Sequence, residues 1–275
     1  MPDSPLPIHV ISLERSGRRA ALAKLLSDRA TVFFIHDAID AQTLSAAELA
    51  AAYDDEACRR RYGRSMTNAE VACFMSHRLV WRAIAESGRA AIVLEDDASF
   101  EPAFFERALF AKESEWSAYA DVVLLGRSKL RREAARGAYL HEPLRCKTVL
   151  NGLQIGIPFK QWTSGAVGYW ISADAARRAL AYSDGGLSAL LDDWPWHREH
   201  GGARVLEVRP YLVWEDFERL PSSIERERRA RTALRAPLHD AALQPLRLAR
   251  TAGRWSEVAL RRLFGAAGCA RRRHD

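Results

Sequence analysis

The stretch Ala90-Ala91-Ile92-Val93-Leu94-Glu95-Asp96-Asp97 decides the fold. Five apolar residues, with a β-branched pair at their centre, read as a strand buried on both faces, the habit of a parallel sheet covered by helices. Such a strand delivers its last residues to the carboxyl edge of the sheet, where α/β ligand sites lie. Residues 95 and 97 point the same way along an extended strand end. Two carboxylates on one side make a hard-oxygen site suited to Mg²⁺ or Mn²⁺ with a diphosphate as co-ligand. Without a counter-ion, carboxylates at roughly 4–6 Å repel each other strongly. The competing structural reading is that the acids cap the next helix, with Asp97 near its start.

Working outward, Ile8 to Leu13 and Thr31 to Ile35 read as strands around a helix from Arg18 to Leu26. Strand–helix–strand marks a parallel α/β sheet. Ser45 to Arg61 reads as one surface helix. Thr67 and Glu70 form a capping box that opens a helix to Ser87, stopped by Gly88. Beyond the acids, a helix is expected near Phe104 to Phe110 and a buried strand over Asp121 to Leu125. Residues 126–162 read as loops and short strands, a mobile flap. Ala166 to Ile171 is a strand, Ser172 caps a helix through Leu180, and Ser188 to Trp194 is a turn or short helix. Strands over Arg204 to Arg209 and Tyr211 to Trp214 close the folded part. The prediction is one α/β domain with a mostly parallel central sheet over residues 1–225. Residues 226–275 form a basic helical tail whose leucines recur at helical spacing, with a break at Pro245.

The chain has 275 residues, 48% apolar and 28% charged, and a net charge of +6. This is globular composition and excludes wholesale disorder. Basic balance favours acidic partners, but the charge is nearly all arginine, a compositional habit that argues weakly for nucleic acid. The four cysteines, Cys58, Cys73, Cys146 and Cys269, lack C-x-x-C spacing and read as reduced thiols. The start lacks a signal-peptide pattern and no apolar run reaches a membrane span, so a cytoplasmic location is expected.

Four further groups carry candidate chemistry. Glu70, Ser76 and His77 are polar residues in an otherwise apolar helix; packing is the competing role. Ser164 and Gly165 stand at a strand entry, where glycine permits close backbone approach to a ligand or simply turns the chain. Asp192 and Asp193 supply a general base or hydrogen bonds to sugar hydroxyls, with Trp194 as a stacking face, or else cap a helix. Arg15, Arg18 and Arg19 follow the first strand, where arginines bind diphosphate bidentately or form a solvated face.

In order, ISLERSGRR, TNAEVACFMSHRLVW, AAIVLEDD, SGAVGYWISADAARRAL and LLDDW cover most of residues 8–195. This series resembles glycosyltransferase family 25, which includes bacterial lipooligosaccharide galactosyltransferases. The chain departs from the family at Ala69, where glycine is usual. The resemblance implies a GT-A-like fold, a UDP-sugar donor (UDP-galactose first), inversion at the anomeric carbon, and a glycan or glycolipid acceptor. It implies that Asp97 and Glu95 hold Mn²⁺ or Mg²⁺, and that Asp96, Arg15, Arg18, Glu70, Ser76, His77, Ser164 and Gly165 line or brace the donor site. Asp192 or Asp193 is then the base. The basic tail would hold the enzyme on the anionic inner-membrane surface. Two competing readings are another Mg²⁺-dependent nucleotide-using transferase and a basic nucleic-acid-binding protein. Neither a P-loop nor G-x-G-x-x-G follows the first strand, and the core lacks the aromatic–basic interleaving of an RNA-binding sheet, so no specific nucleic-acid partner is expected.

Overall fold

A computed structural model describes residues 5–159, 165–216 and 244–263. The chain runs β1 (Ile8–Ser12), α1 (Gly17–Asp28), β2 (Phe33–Asp37), α2 (Ala46–Ala52), α3 (Asp55–Tyr62), α4 (Asn68–Ser87), β3 (Ala91–Glu95) and β4 (Ala98–Phe100). It continues through α5 (Pro102–Glu106), α6 (Glu113–Ser117), β5 (Val122–Leu124), β6 (Gly126–Arg127), α7 (Ala135–His141), β7 (Leu144–Leu150) and β8 (Leu153–Pro158). Then come β9 (Gly168–Ile171), α8 (Ala173–Tyr182), α9 (Trp194–Gly201), β10 (Val205–Arg209), β11 (Val213–Glu215) and α10 (Gln244–Leu263).

Eight strands form the main sheet in the order β2-β1-β3-β9-β5-β10-β8-β7. β1, β2 and β3 are parallel, as are β5 and β10. β9 runs antiparallel between β3 and β5. The five parallel strands therefore end at one edge, and β9 begins there. A smaller sheet, β4-β11-β6, stands at that edge. The α/β architecture is the one expected; six of the eight strands run one way, but the sheet is mixed, with β8 antiparallel to both β10 and β7.

Period-two alternation splits the core into two layers. Ala91 and Val93 face the side packed by Phe74 and Trp81 of α4, Ala176 of α8 and Trp194 of α9. Ile92 and Leu94 face the side packed by Leu22 and Leu26 of α1, Phe104 of α5 and Trp116 of α6. Helix α4 begins with the expected capping box, Thr67 and Glu70, and ends at Gly88 with φ 68°.

Several expectations need correction. The helix from Ser45 to Arg61 is broken into α2 and α3, because Asp54 leaves the helical conformation to cap α3 through the Ala57 N–H. Within residues 126–159 the expected short strands are present as β7 and β8, but they extend the main sheet against β10 instead of forming a flap. Cys146 is disulfide-bonded, against the expectation of reduced thiols throughout, whereas Cys58 and Cys73 are free. Pro245 does not break the C-terminal segment; it is the second residue of α10, where its missing N–H costs no helical bond. That helix lies on the body: Trp255 Nε1 donates to Leu140 O (2.8 Å), Arg254 to His141 O (2.7 Å), and Val258 is buried. Residues 226–243 and 264–275 of the expected tail lie outside the described residues.

Candidate active site

Side-chain alternation continues past β3 and separates the three acids. Asp96 turns towards β1 and α1, where Ser12 Oγ donates to it (2.8 Å) and Arg18 pairs with it (3.0 Å). The same guanidinium reaches Asp97 at 3.4 Å. Asp96 thus clasps two elements and aims Arg18 across the strand end. Asp97 keeps a buried Oδ1 that has no hydrogen-bond partner.

The small sheet brings in an acid that the sequence reading missed. Glu215 stands opposite Ala98 in the β4–β11 ladder, and the next residue's N–H bonds Asp97 O (2.9 Å). The Lys129 N–H holds the Glu215 carboxylate at 2.8 Å. An acid pair closing a strand, the signal used for Glu95 and Asp97, was also present at Glu215-Asp216.

Burial, then the charges of Glu215, Asp96 and Asp192, push the Glu95 pKa up to about 8. Burial, then Glu95 and Glu215, push Asp97 well up, with Arg18 opposing. The cluster therefore carries more negative charge than its surroundings neutralise. Oxygen donors, an orphaned buried carboxylate oxygen and unrelieved repulsion fit a hard divalent cation.

A sign follows for stability. The folded chain binds protons that the unfolded chain has released between about pH 4.5 and about pH 8. Without metal, the cluster's contribution to stability is lost as pH rises through that window, while the buried His9, His77 and His197, lowered to about 4, about 3 and about 4, act in the opposite sense below about pH 6.5. Metal binding requires the ionised acids, so added Mn²⁺ stabilises more at pH 8 than at pH 5. Thermal melts with EDTA and with Mn²⁺ check it; a melting temperature in EDTA that does not fall between about pH 6.5 and about pH 8 refutes the charge account.

Helix α4 supplies the wall above Glu95. Ligand atoms of Cys73, His77 and Glu95 lie within 4.8 Å of one another. Trp81 Nε1 can only donate, and it donates to Tyr169 OH (2.8 Å). The Tyr169 hydroxyl and His77 Nδ1 are hydrogen-bonded at 2.8 Å. His77 Nε2 stands 3.5 Å from Glu95 Oε1. Burial lowers the His77 pKa to about 3, and burial followed by Glu95 raises the Cys73 thiol well above its usual value. Both groups are neutral, so they form a wall beside the acids that adds no charge. Cys73 and Tyr169 were not among the expected site residues.

The other expected residues divide. Gly165 has φ +87°, and a Cβ there would lie 1.7 Å from Ser128 Oγ. Its N–H donates to Asp192 Oδ2 (2.7 Å), which fixes Asp192 beside β9's entry, where Glu95 and Cys73 both feel its charge. Ser164 lies outside the described residues. Arg15 is turned away, to Asp40 (2.7 Å) and Gln42 (3.2 Å), and Arg19 pairs with Asp37. Glu70 is saturated by the Thr67 N–H and both Arg64 nitrogens, so it braces the start of α4. Ser76 accepts from the Ile39 N–H (2.8 Å) and donates to Ala72 O, tying α4 to the segment after β2.

Asp193 is fully buried and caps α9. Arg61 grips it with two nitrogens, Tyr62 OH donates at 2.6 Å and Trp196 N–H at 3.1 Å. Burial pushes its pKa up, but these donors outweigh burial and hold it below the usual carboxylate value. A saturated carboxylate without access to solvent does not take a substrate proton, which leaves Asp192 as the base candidate. Trp194 is equally buried, edge-on to Tyr169 at 5.9 Å, and offers no stacking face to a sugar.

Fold and site define an α/β protein with an acidic, metal-suited cleft at the carboxyl edge of its parallel strands. The sequence model of glycosyltransferase family 25 (LPS biosynthesis protein) matches residues 6–185. The chain belongs to glycosyltransferase family 25. It is 27% identical over 183 residues to procollagen galactosyltransferase 1 of Danio rerio, covering 61% of this chain and 27% of that protein. It is 29% identical over 192 residues to probable inactive glycosyltransferase 25 family member 3 of Rattus norvegicus, covering 63% and 29%. The chain thus spans under a third of the length of these relatives. A glycosyltransferase involved in glycosylation of the major capsid of PBCV-1 superposes over 82% of this chain and 98% of its own, at 10% identity and a TM-score of 0.41, too distant to carry an argument.

Proposed function

We propose that the chain transfers a sugar, galactose first, from a UDP-sugar to a hydroxyl of a lipooligosaccharide or other glycan acceptor, with inversion at the anomeric carbon. The observation that carries this reading is the under-neutralised cluster of Glu95, Asp97 and Glu215 at the strand ends of a family 25 chain with a GT-A-like layout. Asp97 and Glu95, with Glu215 beside them, would hold Mn²⁺ or Mg²⁺, which offsets the charge of the diphosphate leaving group. Arg18, aimed by Asp96, adds positive charge for the phosphates from the α1 side. Asp192, fixed by the Gly165 N–H, accepts the acceptor's hydroxyl proton. The acceptor oxygen forms the new bond to the anomeric carbon as the bond to the diphosphate oxygen breaks, and UDP leaves with that electron pair. The neutral His77 and Cys73 wall borders the metal cluster without adding charge.

UDP release from a panel of UDP-sugars, with and without Mn²⁺, tests the reading. Metal-dependent release from one donor supports it. No release or binding with any UDP-sugar, or release of pyrophosphate instead, removes it in favour of another nucleotide donor or an inactive family member.

Residues 1–225 form the catalytic unit in this reading, and residues 226–275 hold it on an anionic membrane surface at the cytoplasmic inner face. No helix among the described residues is long and apolar enough to cross a membrane. The support is the outer face of α10, where Leu246, Leu248, Leu260 and Leu263 are exposed while Trp255 and Arg254 engage the body. Exposed leucines beside arginine suit the interface of an anionic bilayer. Replacing Leu246, Leu260 and Leu263 by Asn is expected to weaken binding to anionic vesicles more than about tenfold, since each burial contributes about 1.5–3 kcal/mol when complete. Unchanged flotation with vesicles refutes membrane docking by this face.

A further inference from the structure

One turn of α4 and the end of β3 bring together three groups of different chemistry. Cys73 and His77 stand four residues apart and share one face of α4. Glu95 is the last residue of β3. The Cys73 sulfur, a His77 ring nitrogen and a Glu95 carboxylate oxygen all lie within 4.8 Å of one another. His77 is fully buried, and its Nε2 has no hydrogen-bond partner. It faces Glu95 Oε1 at 3.5 Å, within the spacing of roughly 3.3–3.7 Å between two ligands of a tetrahedral zinc with bonds of about 2.0–2.3 Å. The ring is held from its other side by the 2.8 Å hydrogen bond between Nδ1 and the Tyr169 hydroxyl, which Trp81 Nε1 fixes in turn. A metal-ligating histidine is oriented in this way, through its second nitrogen. Cys73 is a free, half-buried thiol and the Glu95 side chain is 28% exposed, so an ion can enter from solvent. After burial, the charges acting on the thiol are those of Glu95, Asp192, Asp97 and Glu70, all negative.

We propose that Cys73, His77 and Glu95 bind Zn²⁺, and that zinc bound there opposes the Mn²⁺-dependent reaction by claiming Glu95. The inhibition rests on the function proposed above; the zinc site does not. A thiolate and an imidazole select zinc over magnesium and manganese, whereas Glu95, Asp97 and Glu215 together offer oxygen alone. As zinc binds, the Cys73 S–H proton passes to solvent and the sulfur lone pair forms the metal bond. His77 Nε2 and Glu95 Oε1 supply two further lone pairs, and water takes the fourth position. The dication reverses the charge that keeps the thiol protonated and gives the buried Nε2 the partner that packing does not provide. Two dications sharing one carboxylate repel each other, so zinc at this site and manganese at the acid cluster compete.

Titration of the metal-free full chain with Co²⁺, followed by Zn²⁺, tests the site, because cobalt bound to a thiolate shows a sulfur-to-metal absorption band. The variants are Cys73→Ser and, as a control for the other free thiol, Cys58→Ala, each checked by thermal melting. Wild type and Cys58→Ala are expected to show the band and to lose it when zinc displaces cobalt. Cys73→Ser is expected to lack the band and to bind zinc at least about 100-fold more weakly, beyond the 10–100-fold effect of losing an outer partner. Alkylation of the unaltered chain with peptide mapping needs no variant: zinc is expected to protect Cys73, and Mg²⁺ is not. Zinc is also expected to abolish Mn²⁺-supported UDP release by the wild type and to leave Cys73→Ser at its own zinc-free rate. No band and no protection in the wild type, or a band that survives Cys73→Ser, overturns the site. Zinc bound through Cys73 with UDP release unchanged overturns the inhibition. Band and protection in a chain that releases UDP from no donor uphold the zinc site and remove the proposed function, together with the inhibition that rests on it.

Discussion

Asp97→Ala lowers UDP release from the accepted donor by about 10²–10³-fold, the loss seen when one preorganised electrostatic group is removed from a transition-state site. The same substitution raises the thermal stability of the metal-free chain or leaves it unchanged. Asp97 is buried beside Glu95 and Glu215, with one oxygen unpartnered, and repulsion raises its pKa. Removing it relieves a destabilised charge, whereas removing an ordinary buried carboxylate would break stabilising bonds. On the proposed metal site, added Mn²⁺ is expected to raise the melting temperature of the wild type and not of the variant. A variant that melts lower in EDTA and still releases UDP at the wild-type rate would show that Asp97 is an architectural residue.

Asp193→Ala acts in the opposite sense. It strands Arg61 and Tyr62 and removes the cap of α9, all bonded to one fully buried carboxylate. Breaking a buried pair costs about 3–5 kcal/mol, a large share of a domain's stability, and should lower the melting temperature on the order of 10 °C. Asp192→Asn is expected to melt near the wild type and to lose turnover by about 10²–10⁴-fold, the range of general-base contributions. Thermal melts paired with UDP release on both variants separate the neighbours. Full stability for Asp193→Ala with abolished turnover would return the base to Asp193.

The order of strands and helices around Glu95 was legible because two-fold and 3.6-fold apolar repeats record burial directly. Helix α4, with its capping box and closing glycine, was readable from its ends. The β7–β8 hairpin was not. Its first strand is half-buried along most of its length, so its residues carry no clean alternation. The joined reading of α2 and α3 failed for a related reason: a local cap at Asp54 overrode an otherwise continuous helical composition.

The sequence by itself determined that three acids close a buried parallel strand and that an acid pair precedes Trp194. Strand periodicity also separated Asp96 from Glu95 and Asp97. Only the tertiary structure decided which carboxylates are saturated and which are left crowded and short of partners. The partners of Asp193 come from 131 and 132 residues away, and Glu215 reaches the cluster through the small sheet. A carboxylate's chemistry depends on the donors and charges within a few ångströms, and here folding draws those neighbours from distant parts of the chain.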